Sequence, residues 1–197
     1  SNIVTVASST WCAMSKGLFD GPEVQLGQVL SAREARSQRQ AHLLETYAPA
    51  VLVSMTLNTP GPVKNSEGLS KIGHHLAQLV GDHLAQETIL YQDLVEAVTG
   101  LEAYWVVSQE AELVKRHLVA FEGKHPLGRL LDLDVLELVE GIPCPISRRQ
   151  LGLAPRQCFL CQADAKQCAR SRQHSVADMQ AYISQAVANY EAQTESP

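Results

Sequence analysis

The chain has 197 residues, an apolar fraction of 45% and a formal net charge of -5. That is long enough for one substantial core, and too acidic overall for generic nucleic-acid binding, which depends on neutralising phosphates. No apolar run approaches the roughly 20 residues of a membrane span and the N-terminal stretch lacks a basic start, so a cytoplasmic protein with reduced or metal-bound cysteines is expected.

Residues 1–13 carry no strong pattern, with Met14 expected as the natural start and Ser1-Asn2 as a cloning remnant. Residues 1–23 are set apart as an N-terminal extension and 24–197 as one domain. From Val29 the chain reads as helix, with Ser31 as N-cap and Glu34 as its capping-box partner. Arg33, Arg36 and Arg39 form a basic stripe read as a solvated face. Residues 50–57 read as a strand ended by the fixed loop Asn58-Thr59-Pro60-Gly61-Pro62, after which Lys64 either meets a phosphate or lies on the surface. Leu69, Ile72, Leu76, Leu79 and Val80 recur at helical spacing, predicting a helix from Ser66 to about Gln86 in which His74, His75 and His83 are ordinary residues. Strands are expected at 88–92 and 103–108, a short helix or turn near 109–116, and another strand over 117–122.

The most informative stretch follows, from His125 to Val135. On a strand, Asp132 and Asp134 point to one side while Leu131, Leu133 and Val135 point into the core. Two carboxylates on one rigid face suit Mg²⁺, which takes a few carboxylate oxygens and leaves positions for water and phosphates. Such a pair suggests phosphoryl or nucleotidyl transfer; the bland alternative is a solvated edge. Gly128-Arg129 allows a tight turn and places a bidentate phosphate donor beside the pair. With 117–122 as the preceding strand, Glu122 becomes a third carboxylate ligand and His125 a possible general base, against plain turn residues as the alternative.

Between Cys144 and His174 stand six basic residues, Arg148, Arg149, Arg156, Lys166, Arg170 and Arg172, and one acidic residue, Asp164. The same segment spaces Cys158, Cys161, Cys168 and His174 as C-x2-C-x6-C-x5-H, the ligand set of a structural Zn²⁺ site. The competing reading places the three cysteines along one helix stripe as small apolar residues. Cys12 and Cys144 are expected to be inert. Residues 175–193 form a last amphipathic helix, and the mixture without a regular βα period predicts an α+β fold with a largely antiparallel sheet flanked by helices.

The run Asn58 to Lys64, the run His125 to Val135, Ile146-Ser147-Arg148-Arg149, and Arg156 to Cys161 followed by Cys168 to Ser171 together resemble the CitX family over about Val24 to Met179. That family is the citrate lyase holo-acyl-carrier-protein synthases, or apo-citrate lyase phosphoribosyl-dephospho-CoA transferases. The resemblance implies a nucleotidyltransferase-like enzyme that takes 2'-(5''-triphosphoribosyl)-3'-dephospho-CoA. It would join the phosphoribosyl-dephospho-CoA part to a serine of the apo acyl carrier (gamma) subunit and release pyrophosphate. Asp132 and Asp134 would then hold Mg²⁺, with Glu122 and His125 beside them and either His125 or an Asp taking the serine proton. Asn58, Lys64, Gly128 and Arg129 would meet the donor, and Arg148, Arg149, Arg170 and Arg172 the donor or an acidic carrier. Two rival readings stay open: a nucleotidyltransferase with another phosphate-rich donor, and a non-catalytic zinc-stabilised interaction module.

Overall fold

The computed structural model describes residues 17–194. Its helices are α1 (Leu26–Thr46), α2 (Glu67–Leu84), α3 (Ala111–Lys124), α4 (Ala165–Ser171) and α5 (Val176–Thr194). Its strands are β1 (Val51–Leu57), β2 (Ile89–Ala97), β3 (Gly100–Val107), β4 (Leu131–Val139) and β5 (Ile142–Pro145). They join in one sheet of order β2-β3-β1-β4-β5 in which every pairing is antiparallel, the expected α+β architecture. Among the described residues no helix is long and apolar enough to cross a membrane.

Alternation along the strands divides the core into two layers. On one face Val51, Val53 and Met55 of β1 and Leu131, Leu133 and Val135 of β4 pack against α2, α3 and α5, through residues such as Ile72, Leu118 and Ile183. On the other, Leu52, Tyr104, Val106 and Leu136 pack under Leu43 and Leu44 at the end of α1. The first half of α1 buries no residue, and Val29, Ala32, Arg33 and Arg36 of it face a cleft that Thr56 and Asp132 also line.

The expectations for residues 1–13, Cys12 among them, lie outside the described residues. Leu18, within the stretch set apart as an extension, is buried, and its carbonyl accepts a hydrogen bond from Ser66 Oγ at 2.7 Å. Helix α2 begins as expected, with Ser66 Oγ accepting from the Leu69 amide at 3.0 Å. Helix α1 starts earlier than Ser31 because Gln25 and Gln28 form the capping box, the Gln25 amide donating to Gln28 Oε1 at 2.8 Å. The larger correction is α3, which runs through the stretch expected to be a strand over 117–122. Val114, Leu118 and Phe121 recur at i, i+4 and i+7 and give that helix its core face.

Gly128 opens a 3-10 turn, Gly128–Leu130, that leads from α3 into β4. A Cβ there would lie 1.8 Å from the Glu122 carbonyl oxygen, so only glycine lets the turn close against the helix. The β4–β5 hairpin turns on Glu140 and Gly141, both at positive φ, 53 and 78 degrees.

Candidate active site

Asp132 and Asp134 are exposed on the sheet while Leu131, Leu133 and Val135 are buried, as the alternation requires. Across β1, Thr56 stands opposite Asp132 and Ser54 opposite Asp134. The Leu131 carbonyl accepts from Arg156, that of Leu133 from Lys115 Nζ at 2.8 Å, and that of Val135 from the Ile146 amide at 2.8 Å. These groups point away from β1, so the ladder alternation directs the backbone of Asp132 and Asp134 into β1 and holds both carboxylates on a rigid frame. Crowding by protein atoms, and next the charge of Asp132, push the Asp134 carboxyl above its usual range. Held like charges of this kind are what a divalent cation relieves.

Beside Asp132 a cleft of about 200 Å³ separates α1 from the end of β1, lined among others by Arg33, Arg36, Thr56, Asn58 and Lys64. Arg36 is paired with Glu102 at 2.7 Å. Arg33 has no acidic partner among the described residues, and Lys64 Nζ donates to the Thr59 carbonyl at 2.6 Å. Burial, and then the neighbouring Arg33 charge, lower the Lys64 amine. Two cations lining one cleft, neither ion-paired to a carboxylate among the described residues, favour an anion there. The spacing of Arg33, Arg36 and Arg39 was legible as a stripe, but its role depends on what lies across from the helix. Arg39 in turn meets Asp93 at 3.3 Å, outside the cleft lining.

Glu122 is buried on α3 and binds two guanidinium groups: Arg148, and Arg156 at 2.9 Å. Arg156 also reaches Asp132 Oδ1 at 3.3 Å, so it joins α3 to the exposed pair. Both Glu122 oxygens are engaged by these arginines, and no spacing along the chain announces that Arg156 comes to lie beside Asp132. His125 stands apart from this network. Its ring packs on Phe121 and Tyr190, and its Nδ1 accepts from the Leu127 amide at 3.1 Å. Burial, then the nearby His75, lower its pKa. Arg129 lies over the Phe159 ring at 5.5 Å, with its Nε buried and unpartnered.

Arg149, Arg170 and Arg172 are exposed, whereas Arg148 is half-buried against Glu122. The ligand atoms of Cys158, Cys161, Cys168 and His174 all lie within 4.8 Å of one another, and His174 Nε2 is 3.3 Å from Cys161 Sγ. Only Cys168 is on a helix, α4, so the single-helix stripe of cysteines is not formed. Cys144 is a free thiol on β5.

A family model described as apo-citrate lyase phosphoribosyl-dephospho-CoA transferase matches residues 24–190. The "Probable apo-citrate lyase phosphoribosyl-dephospho-CoA transferase" of Streptococcus pyogenes serotype M18 (strain MGAS8232) is 45% identical over 166 residues, 84% of this chain and 86% of that protein. The protein of the same name from Vibrio cholerae serotype O1 (strain M66-2) is 37% identical over 171 residues, 85% of this chain and 93% of its own. "Protein CitXG" of Leuconostoc mesenteroides subsp. cremoris is 37% identical over 175 residues, 88% of this chain and 37% of that longer protein.

Proposed function

Because the chain belongs to the apo-citrate lyase phosphoribosyl-dephospho-CoA transferase family, we propose that it attaches the phosphoribosyl-dephospho-CoA group to a serine of the apo acyl carrier subunit of citrate lyase. The donor in this reading is 2'-(5''-triphosphoribosyl)-3'-dephospho-CoA. The serine oxygen forms a bond to the phosphorus nearest the ribose, the bond to the next phosphate breaks, and pyrophosphate leaves. That is nucleotidyl transfer, and it rests on positioning and charge neutralisation. The observation that carries it is the juxtaposition of an exposed carboxylate pair with a cleft lined by Arg33, Arg36 and Lys64.

Asp132 and Asp134 would hold Mg²⁺, and the donor set fits: two carboxylates on one strand face, one pushed up by crowding and then by the other's charge. Bound there, the ion would neutralise charge on the phosphates. Arg33 and Lys64 receive the triphosphate, and Arg36, fixed by Glu102, lines the same wall. Arg129 and Gly128 shape the turn into the strand. His125 is engaged with aromatic rings, which leaves the serine proton to one of the two carboxylates. The Cys158, Cys161, Cys168 and His174 cluster takes Zn²⁺ outside this chemistry. A protein acting on a citrate lyase subunit in this way would work in the cytoplasm.

Incubation with purified apo carrier and the triphosphoribosyl donor should raise the carrier's mass by the prosthetic group. No mass increase would return the protein to a binding module, and an increase only with a different donor would leave a different nucleotidyltransferase.

The two cationic regions should separate in kinetics. Arg33→Ala and Lys64→Ala are expected to raise the donor KM about tenfold or more with little change in the carrier KM. Charge reversal of Arg149, Arg170 or Arg172 should raise the carrier KM instead, with an effect that fades as salt rises. Unchanged constants for both substrates would make these residues ordinary solvated surface. Arg148 is left out of that set because its reversal would break the pair with Glu122.

A further inference from the structure

The segment from residue 152 to 174 is held by very little apolar burial, Cys168 being its one buried residue. Residues 156–165 double back as a small hairpin, with the Cys158 amide donating to the Ala163 carbonyl at 2.8 Å and the Ala165 amide to that of Arg156 at 2.8 Å. Asp164 then caps α4, its Oδ1 accepting from the Lys166 amide at 2.7 Å. Arg172 ends that helix in the left-handed conformation, φ 48 degrees, and turns the chain so that His174 comes back to Cys161. Two turns and a seven-residue helix thus converge on three sulfurs and an imidazole. So short a unit does not fold on apolar burial, and a metal is the usual substitute for the missing core.

We propose that one Zn²⁺, bound by Cys158, Cys161, Cys168 and His174, clamps this segment and thereby positions Arg156 on Glu122 and Asp132. The coarse placement of the site rests on its own geometry; its link to transfer rests on the function proposed above. Three thiolates and one imidazole are the ligand set of closed tetrahedral zinc sites, whose ligand atoms stand about 3.5–3.8 Å apart. Reaching that spacing from 4.8 Å needs a contraction of about 1 Å at most. Four protein ligands leave no position for substrate, so the ion acts on the fold and not on the phosphates. Arg156 lies two residues before the first ligand, and Phe159 between the first two ligands covers Arg129. The clamp therefore reaches two arginines of the site at once, and their loss of position is what metal removal should cost.

The test begins with protein purified without added metal, in which elemental analysis should find about one zinc per chain. Cobalt substitution should give the strong visible bands of a tetrahedral thiolate site. Chelation should speed amide exchange across 156–174 while β1 and β4 keep their protection, and added Zn²⁺ should restore it. These readouts need no activity, so they stand or fall apart from the proposed reaction. In the transfer assay, Cys161→Ser and Arg156→Gln should each cost about a hundredfold in kcat/KM, and the double variant should lose little more. Should Cys161→Ser fail to fold, chelated wild-type protein takes its place. Metal-free protein with three freely titrating thiols and unchanged exchange over 156–174 overturns the site, and additive losses in the double variant overturn its link to Arg156.

Discussion

Asp132→Asn and Asp134→Asn should each lower transfer more than about a hundredfold without loss of fold. Both side chains are exposed, their backbone groups are bonded into β1, and asparagine keeps the shape. The stability signs differ between them. Crowding by protein atoms, and next the Asp132 charge, raise the Asp134 pKa, so its negative charge is disfavoured by the fold and removing it should leave the melting temperature unchanged or slightly higher. Asp132 loses its contact with Arg156, an exposed pair worth about 1 kcal/mol at most. Steady-state transfer with Mg²⁺ present, alongside thermal melts, reads both effects. Near wild-type rates in either folded variant would remove the pair from the chemistry.

Glu122→Ala is expected to have the largest effect on stability. It would leave Arg148 and Arg156 beside one another with their shared anion gone, and breaking a buried pair in this way costs about 3–5 kcal/mol. For a chain of this length that corresponds to a fall of roughly 6–20 °C in melting temperature. Transfer should fall as well, because Arg156 would no longer be held against Asp132. A third metal ligand would behave differently, its loss weakening Mg²⁺ affinity while leaving the melting curve in place. Melting curves and Mg²⁺ titrations of the variant therefore decide between an arginine anchor and a metal ligand.

Much of the frame was legible because it rests on local periodicity. Leu69, Ile72 and Leu76 announce α2, and the alternation from Leu131 to Val135 announces both the strand and the shared face of the two aspartates. Helix α3 was harder, since His117 to Glu122 taken alone is apolar and β-branched enough to suit a strand. Its period appears only when Val114 is included. Strand β5 is not announced by its sequence, because Pro143 and Pro145 argue against a strand, yet an edge strand tolerates prolines whose missing donors face outward. The roles of Arg33 and Arg156 lie in tertiary contacts, with α1 folding over the sheet and the cysteine segment folding back on α3. No spacing along the chain encodes either.

The carbonyls of Leu131, Leu133 and Val135 are each occupied, two by side-chain cations and one by the Ile146 amide. The strand that carries the aspartates would otherwise present a stretch of open acceptors next to β5, ready to pair with an extended peptide from another molecule. Buried Lys115 and half-buried Arg156 close it with charge, the kind of block that keeps sheets from joining edge to edge. An extended segment therefore cannot pair with β4 beside the aspartates, and in the proposed reaction the acceptor serine would have to reach them through side-chain and surface contacts.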